Sequence, residues 1–103
     1  MSTEKSIRIE FNQVKTQATA LNNCADDLSD VSVKLGNIMD TLSSGWQGDS
    51  ATLFLQKCEA LQTKLTKTSS NLQTVSRVVS NAANSYYQTE MKAIELAKTN
   101  SGS

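Results

Sequence analysis

The feature that most constrains the fold is a heptad-like spacing of apolar residues, which runs in two long series through a chain that contains no proline. In the first series, apolar side chains recur at alternating steps of four and three residues, and only Ser32 interrupts it. Its members are Ile7, Phe11, Val14, Ala18, Leu21, Ala25, Leu28, Leu35, Met39, Leu42 and Trp46. This spacing predicts a helix that packs along one stripe with left-handed supercoiling.

A second series starts just after residue 50 and keeps the same spacing. Thr68 and Thr89 are its weak points. Its members are Ala51, Phe54, Cys58, Leu61, Leu65, Thr68, Leu72, Val75, Val79, Ala82, Tyr86, Thr89 and Ala93. Both series are far longer than the ordinary globular helix of about 11 residues. We therefore predict an all-α protein with one helix at about 5–43 and another at about 50–97.

The segment between the two series, residues 44–49, has the composition of a turn. Gly45 suits the left-handed residue that often closes a helix, and Asp49 or Ser50 suits the N-cap of the next helix. The whole chain, 1–103, is then a single domain. It forms an antiparallel two-helix hairpin with a flexible tail at residues 98–103.

A further set of apolar residues flanks the main stripe on both helices, and one hairpin has no internal partner for it. Val31, Ile38, Leu55 and Val78 belong to this set and are the predicted dimer interface. Since a lone two-helix hairpin buries little surface, we predict that two hairpins associate into a four-helix bundle. The sequence leaves open whether the partner is a second copy or a similar chain.

The two cysteines, Cys24 and Cys58, are too far apart in a hairpin to bond to each other. In an antiparallel pair closed near residue 46, the numbers of facing residues sum to about 92 to 94. Cys24 then faces a position near 69, about 15 Å along the helix from Cys58, whereas a disulfide requires Cα atoms within about 7 Å. We expect free thiols that act as small core residues, and an intermolecular bridge remains an alternative.

Composition and motifs argue against several classes of function. Ten Lys and Arg balance ten Asp and Glu, so no positive surplus favours nucleic acid. The chain has no histidine, no C-x-x-C pair, no glycine-rich phosphate loop and no metal-ligand cluster. We therefore expect no catalytic residues, metal, cofactor or small-molecule substrate. The first twenty residues lack the apolar core of a signal peptide, and no segment has the length of a membrane span.

Two short motifs stand at informative positions in this hairpin. Trp46, the only tryptophan, lies in the turn with Gly48, and its ring is expected to pack on Leu42 and Phe54. Tyr86 and Glu90 lie four residues apart near the end of the second helix, and so on one face. A hairpin of about 100 residues with both motifs resembles the WXG family, the ESAT-like substrates of type VII secretion systems.

The resemblance implies export. Family members are expected to fold in the cytoplasm as homodimeric or heterodimeric bundles, and to leave without a cleaved leader through a machine driven by an FtsK/SpoIIIE-like ATPase. Carried onto this chain, the export signal comprises Trp46, Gly48, Tyr86 and Glu90. From Asp49 to Tyr86, a straight helix extends roughly 55 Å. We therefore hypothesise that an antiparallel dimer brings the turn of one chain to the Tyr86 of the other.

Three other functions are alternatives to an exported substrate. One is an export partner, a chaperone-like subunit that pairs with another WXG protein or a larger toxin. A second is a needle subunit of a type III apparatus. Prolines in the turn would favour that function, and this chain has no proline. A third is a membrane-active effector, but no segment has a strongly cationic amphipathic profile.

Overall fold

The computed structural model describes residues 3–101 and consists of two long α-helices. Helix α1 spans Glu4–Gly45 and helix α2 spans Asp49–Ser101. No strand occurs in this described part of the chain, which confirms the all-α fold predicted from the two apolar series. Within residues 3–101, neither helix contains a segment that is both long and apolar enough to cross a bilayer.

Both helices are longer than their apolar series alone predicted. At the start of α1, Thr3 acts as the N-cap, since its hydroxyl accepts a 3.1 Å hydrogen bond from the backbone N–H of Ser6. At the other end of the chain, α2 continues to Ser101, so residues 98–101 are helical where the sequence predicted a tail. Lys98 contributes to this extension, because it lies 3.5 Å from Glu4 and its charge suits a helix C-terminus. Residues 102–103 lie outside the described part.

The turn uses its glycines differently from the prediction. Gly45 is the last residue of α1 and has no left-handed conformation. The residue with positive φ is Gly48, at +113°, a region that L side chains rarely adopt. The carbonyl of Gly48 accepts the backbone N–H of Thr52 at 3.0 Å. Gly48 therefore occupies the N-cap position predicted for Asp49 or Ser50.

The chain divides into two compact units, each built from a segment of α1 and a segment of α2. We call Asn22–Gln73 the turn unit, because it contains residues 46–48. We call Met1–Leu21 with Thr74–Ser103 the terminal unit. Within each unit the two segments run antiparallel, as the hairpin prediction requires.

In the terminal unit, small residues from both segments form the contact between the helices. Ala18 and Ala83 are buried, and Ser76 is also buried although it is polar. The Ser76 hydroxyl donates a 2.6 Å hydrogen bond to the carbonyl oxygen of Ala18 on α1. Phe11 and Tyr87 add an aromatic pair with ring centroids 4.6 Å apart.

The turn unit repeats this arrangement with its own residues. Ala25, Ala51 and Cys58 are buried, and the buried Ser69 hydroxyl donates a 2.6 Å hydrogen bond to the carbonyl oxygen of Ala25. Farther toward the turn, the amide of Gln62 donates to the carbonyl oxygen of Ser32 at 3.0 Å. The buried hydroxyl of Ser32, the one break in the first apolar series, is paired with that of Thr66.

These pairs confirm the predicted register of the two helices but show that the predicted contact face of α2 was partly wrong. Ser76 with Ala18, Ser69 with Ala25, and Gln62 with Ser32 all have residue numbers that sum to 94, the predicted register. On α2, however, the helix contact uses the positions one residue after part of the predicted stripe. Several stripe members are exposed instead, namely Phe54, Leu61, Val75 and Tyr86.

The physical reason is that two neighbouring columns on α2 share the seven-residue spacing. One column carries bulky apolar side chains and the other carries Ser69, Ser76 and Ala83. Small residues at a helix contact allow the axes to approach more closely, and the serine hydroxyls find backbone acceptors across it. A prediction based on hydrophobicity alone places the bulky column at the helix contact, whereas its members Phe54, Leu61 and Val75 are exposed in the single chain.

The two cysteines also differ from each other. Cys58 is a free thiol in the core of the turn unit, as predicted, whereas Cys24 is free but exposed. The prediction that Cys24 is a core residue was therefore wrong. It lies on α1 seven residues before the exposed Val31, so it belongs to an outer column of that helix.

Candidate functional site

The turn places an aromatic pair on the surface. The backbone N–H of Trp46 donates to the carbonyl of Leu42 at 2.8 Å, which holds the backbone of Trp46 against the last turn of α1. The indole packs on Phe54, with ring centroids 5.6 Å apart and a tilt of 51°. The predicted contact with Phe54 is confirmed, but both rings remain well exposed, at 40% for Trp46 and 44% for Phe54.

The positive φ of Gly48 explains why a glycine follows Trp46 at this spacing. The backbone reverses between the end of α1 at Gly45 and the start of α2 at Asp49. A side chain at Gly48 would meet no neighbouring atom within 4 Å, so its conformation rather than a lack of space restricts the position. The W-x-G spacing thus has a backbone role in the turn that is separate from any recognition role.

In the terminal unit, Tyr86 borders a shallow apolar groove. The groove has a volume of about 320 Å³, and Phe11, Val14, Val79 and Ala82 contribute to its lining. The Tyr86 hydroxyl lies 3.5 Å from a carboxylate oxygen of Glu10, at the limit of a hydrogen bond. Glu90 is half-buried one turn farther along α2.

The four residues predicted to form the dimer interface are not equivalent. Val31, Ile38 and Val78 are all exposed, at 48%, 53% and 59%. Leu55 is half-buried and follows the buried Ala51 by one helical turn. Much of its surface is therefore directed into the turn unit, so it has less to offer a second chain than the three exposed residues.

A family model described as proteins of 100 residues with WXG matches residues 6–91. That range contains both motifs, the turn and most of the two helices. The chain belongs to the WXG100 family. Comparisons with curated proteins and with solved structures gave no match.

Membership of the WXG100 family indicates how proteins of this kind are secreted and how they associate. The family implies a type VII secretion substrate of the ESAT-like kind. Its members are small, secreted helical proteins rather than enzymes, and they typically form dimers with other WXG proteins. In the part of this WXG100 protein that the structure describes, no cluster of three or more potential ligands is arranged to hold a metal ion.

The groove beside Tyr86 is the feature that the sequence prediction missed. The first apolar series places Phe11 and Val14 in the hairpin core, yet Val14 remains 38% exposed and lines the groove. Glu10 lies outside both series. The sequence signal that could have placed Glu10 beside Tyr86 is its position in the chain. Their residue numbers sum to 96, so the two residues lie near the same level of an antiparallel helix pair.

Proposed function

We propose that this WXG100 protein is exported as a folded dimer, and that Trp46, Gly48, Tyr86 and Glu90 together form its export signal. It folds in the cytoplasm, needs no cleaved leader, and is engaged by an FtsK/SpoIIIE-like ATPase of the secretion system. Family membership supports the export route. The exposure of Trp46 and Tyr86 supports their recognition, because side chains buried in the single chain could not be read by another protein.

Dimerisation is supported by the apolar side chains that each unit leaves exposed. Phe54, Leu61 and Val75 follow one column of α2, and Val31 and Ile38 follow one column of α1. Exposed apolar residues in such numbers are typical of a protein–protein interface rather than of an isolated monomer. A second helix pair packed on them would complete a four-helix bundle.

The signal and the fold are separable by substitution at surface positions. Trp46→Ala and Tyr86→Ala should abolish export, while helicity and the dimer mass at high micromolar concentration stay close to those of the parent. Tyr87→Phe is the matched control, because it keeps the ring that packs on Phe11 and should be exported normally. Normal export of both alanine variants would refute the assignment.

An export partner that escorts another WXG protein or a larger toxin is the second candidate function. The observation that favours it is the same exposed apolar surface, which a different chain could cover equally well. If the purified chain stays monomeric and becomes dimeric only with a neighbouring gene product, this function replaces the self-sufficient substrate.

A further inference from the structure

The two adjacent tyrosines of α2 contact two adjacent residues of α1 in the terminal unit. The hydroxyl of Tyr86 lies 3.5 Å from a carboxylate oxygen of Glu10, and the ring of Tyr87 packs on Phe11 with ring centroids 4.6 Å apart. Successive side chains of a helix point about 100° apart, so the two rings leave α2 in different directions. Residues 10–11 of α1 therefore contact both tyrosines, Tyr86 through a polar group and Tyr87 through an aromatic ring.

The groove beside Tyr86 offers its ring apolar contacts and offers its hydroxyl a carboxylate. Tyr86 is 43% exposed, so the groove surrounds only part of the side chain. Among the residues that the structure places around the groove, Glu10 is the only one besides Tyr86 with a polar side chain. Apolar neighbours restrict where a ring lies, whereas a hydrogen-bond acceptor also fixes the direction of the hydroxyl. The Glu10 carboxylate is therefore the group in the groove that can orient the phenol.

Glu10 occupies this position without belonging to the helix contact. It is exposed on α1, and the basic residue two positions before it, Arg8, pairs with Glu4 at 2.7 Å. Shortening an exposed side chain on a helix leaves no cavity, and such surface substitutions usually change stability very little. A role of Glu10 in presenting Tyr86 can therefore be separated from a role in folding.

We infer that Glu10 is a positioning residue of the export signal, whose carboxylate accepts the Tyr86 hydroxyl and holds the phenol in the orientation in which it is recognised. A side chain that is held before binding loses less conformational entropy when another protein binds it. This inference rests on the proposed function for the role of Tyr86. It adds that this half of the signal is a surface of two helices, to which α1 contributes as well as α2.

Export of four variants tests the role of Glu10. Glu10→Ala should lower export by about two- to tenfold, the effect of one hydrogen bond, and Tyr86→Phe should lower it equally because it removes the other partner. The double variant should be exported no less than either single variant. Glu10→Gln keeps an acceptor oxygen at the same distance along the side chain and should be exported at nearly the parental level. Glu59→Ala removes an exposed carboxylate from the turn unit and is the control.

Fluorine NMR of the purified chain tests the contact without any secretion machinery. The chain has two tyrosines, so labelling with meta-fluorotyrosine gives two sites, and Tyr87→Phe identifies the signal of Tyr86. Glu10→Ala should move the Tyr86 signal and leave that of Tyr87, which packs on Phe11, in place. Glu10→Gln should move the Tyr86 signal less than Glu10→Ala does.

Three results would overturn the role of Glu10. One is a Tyr86 signal that Glu10→Ala leaves unmoved, and another is a double variant whose export falls by the product of the two single effects. The third is loss of export in Glu10→Gln with retention in Glu10→Asp, which would show that the charge of Glu10 is itself recognised. Parental export of Glu10→Ala beside a silent Tyr86→Ala would refute this inference alone. Parental export of Tyr86→Ala would refute the proposed signal, and the role of Glu10 with it.

Discussion

The hydroxyl of Ser69 on α2 lies 2.6 Å from the carbonyl oxygen of Ala25 on α1 and donates a hydrogen bond to it. Both residues are buried in the turn unit, and Ser76 with Ala18 forms the equivalent pair in the terminal unit. Apart from Ile7, the most buried side chains in each unit are small and partly polar, and many bulky apolar residues remain exposed. The single chain therefore uses only part of its hydrophobic surface.

The Ser69 hydrogen bond should contribute modestly to stability. Ser69→Ala removes one donor, while the Ala25 carbonyl keeps its bond within α1, so the free energy of unfolding should fall by about 0.5–1.5 kcal/mol. Thermal unfolding at fixed protein concentration measures this, and Ser29→Ala at an exposed position of α1 is the control. Ser69→Leu should cost more, about 1–3 kcal/mol, because the helices would be forced apart. Equal stability of all three variants would contradict a close helix contact at Ser69.

Gly36 should show an effect that depends on Gln62. A Cβ at Gly36 would lie 2.7 Å from the Gln62 amide nitrogen, so Gly36→Ala would displace the side chain that bonds to the Ser32 carbonyl. Its gain in helix propensity, about 1 kcal/mol, should be offset by that loss. In a Gln62→Ala background the loss is absent, so the same substitution should raise the free energy of unfolding by about 1 kcal/mol. Additive effects in this double-mutant cycle would show that the two residues do not interact.

The two turn glycines should respond in opposite ways to alanine. Gly48→Ala imposes a side chain on a φ of +113° and should destabilise the fold by about 1–3 kcal/mol. Gly45→Ala, at the last residue of α1 with open space around it, should be neutral or stabilising by up to about 1 kcal/mol. Circular dichroism during thermal unfolding compares the two. A stable Gly48→Ala variant that is not exported would show that Gly48 is needed for recognition rather than for the turn.

The long helices and their antiparallel pairing could be predicted from the sequence because apolar spacing over many heptads leaves few alternatives. The side of α2 that packs on α1 could not. Phe54, Leu61 and Val75 look like core residues by hydrophobicity, whereas Ser69 and Ser76 look like surface residues. Their burial depends on carbonyl acceptors on the opposite helix, which only the three-dimensional pairing supplies.

The candidate site could be predicted in part. The positions of Trp46 and Tyr86 followed from the motifs, but the groove beside Tyr86 combines residues from two distant segments. Five of its lining residues belong to the two apolar series, so the sequence places them in the core and gives no sign that they line an open groove beside Glu10. Likewise, Gly48 rather than Gly45 adopts the positive φ, a choice that depends on where α1 ends.

Glu90 should require a carboxylate if it belongs to the export signal. Glu90→Asp keeps the charge and should retain export, whereas Glu90→Gln keeps the size and should lose it. Both substitutions lie at a half-buried position, so dimer mass and helicity are measured alongside export to exclude a folding defect. Export of the glutamine variant at the parental level would remove Glu90 from the signal.

Export as a folded dimer requires a second chain to cover the apolar surface that a single chain leaves exposed. Sedimentation equilibrium of the purified chain alone, from micromolar to nanomolar concentration, measures whether it pairs with itself. We expect a species of twice the 11.2 kDa chain mass at micromolar concentration, dissociating on dilution. A helical monomer that persists at micromolar concentration would show that the chain does not form this dimer by itself.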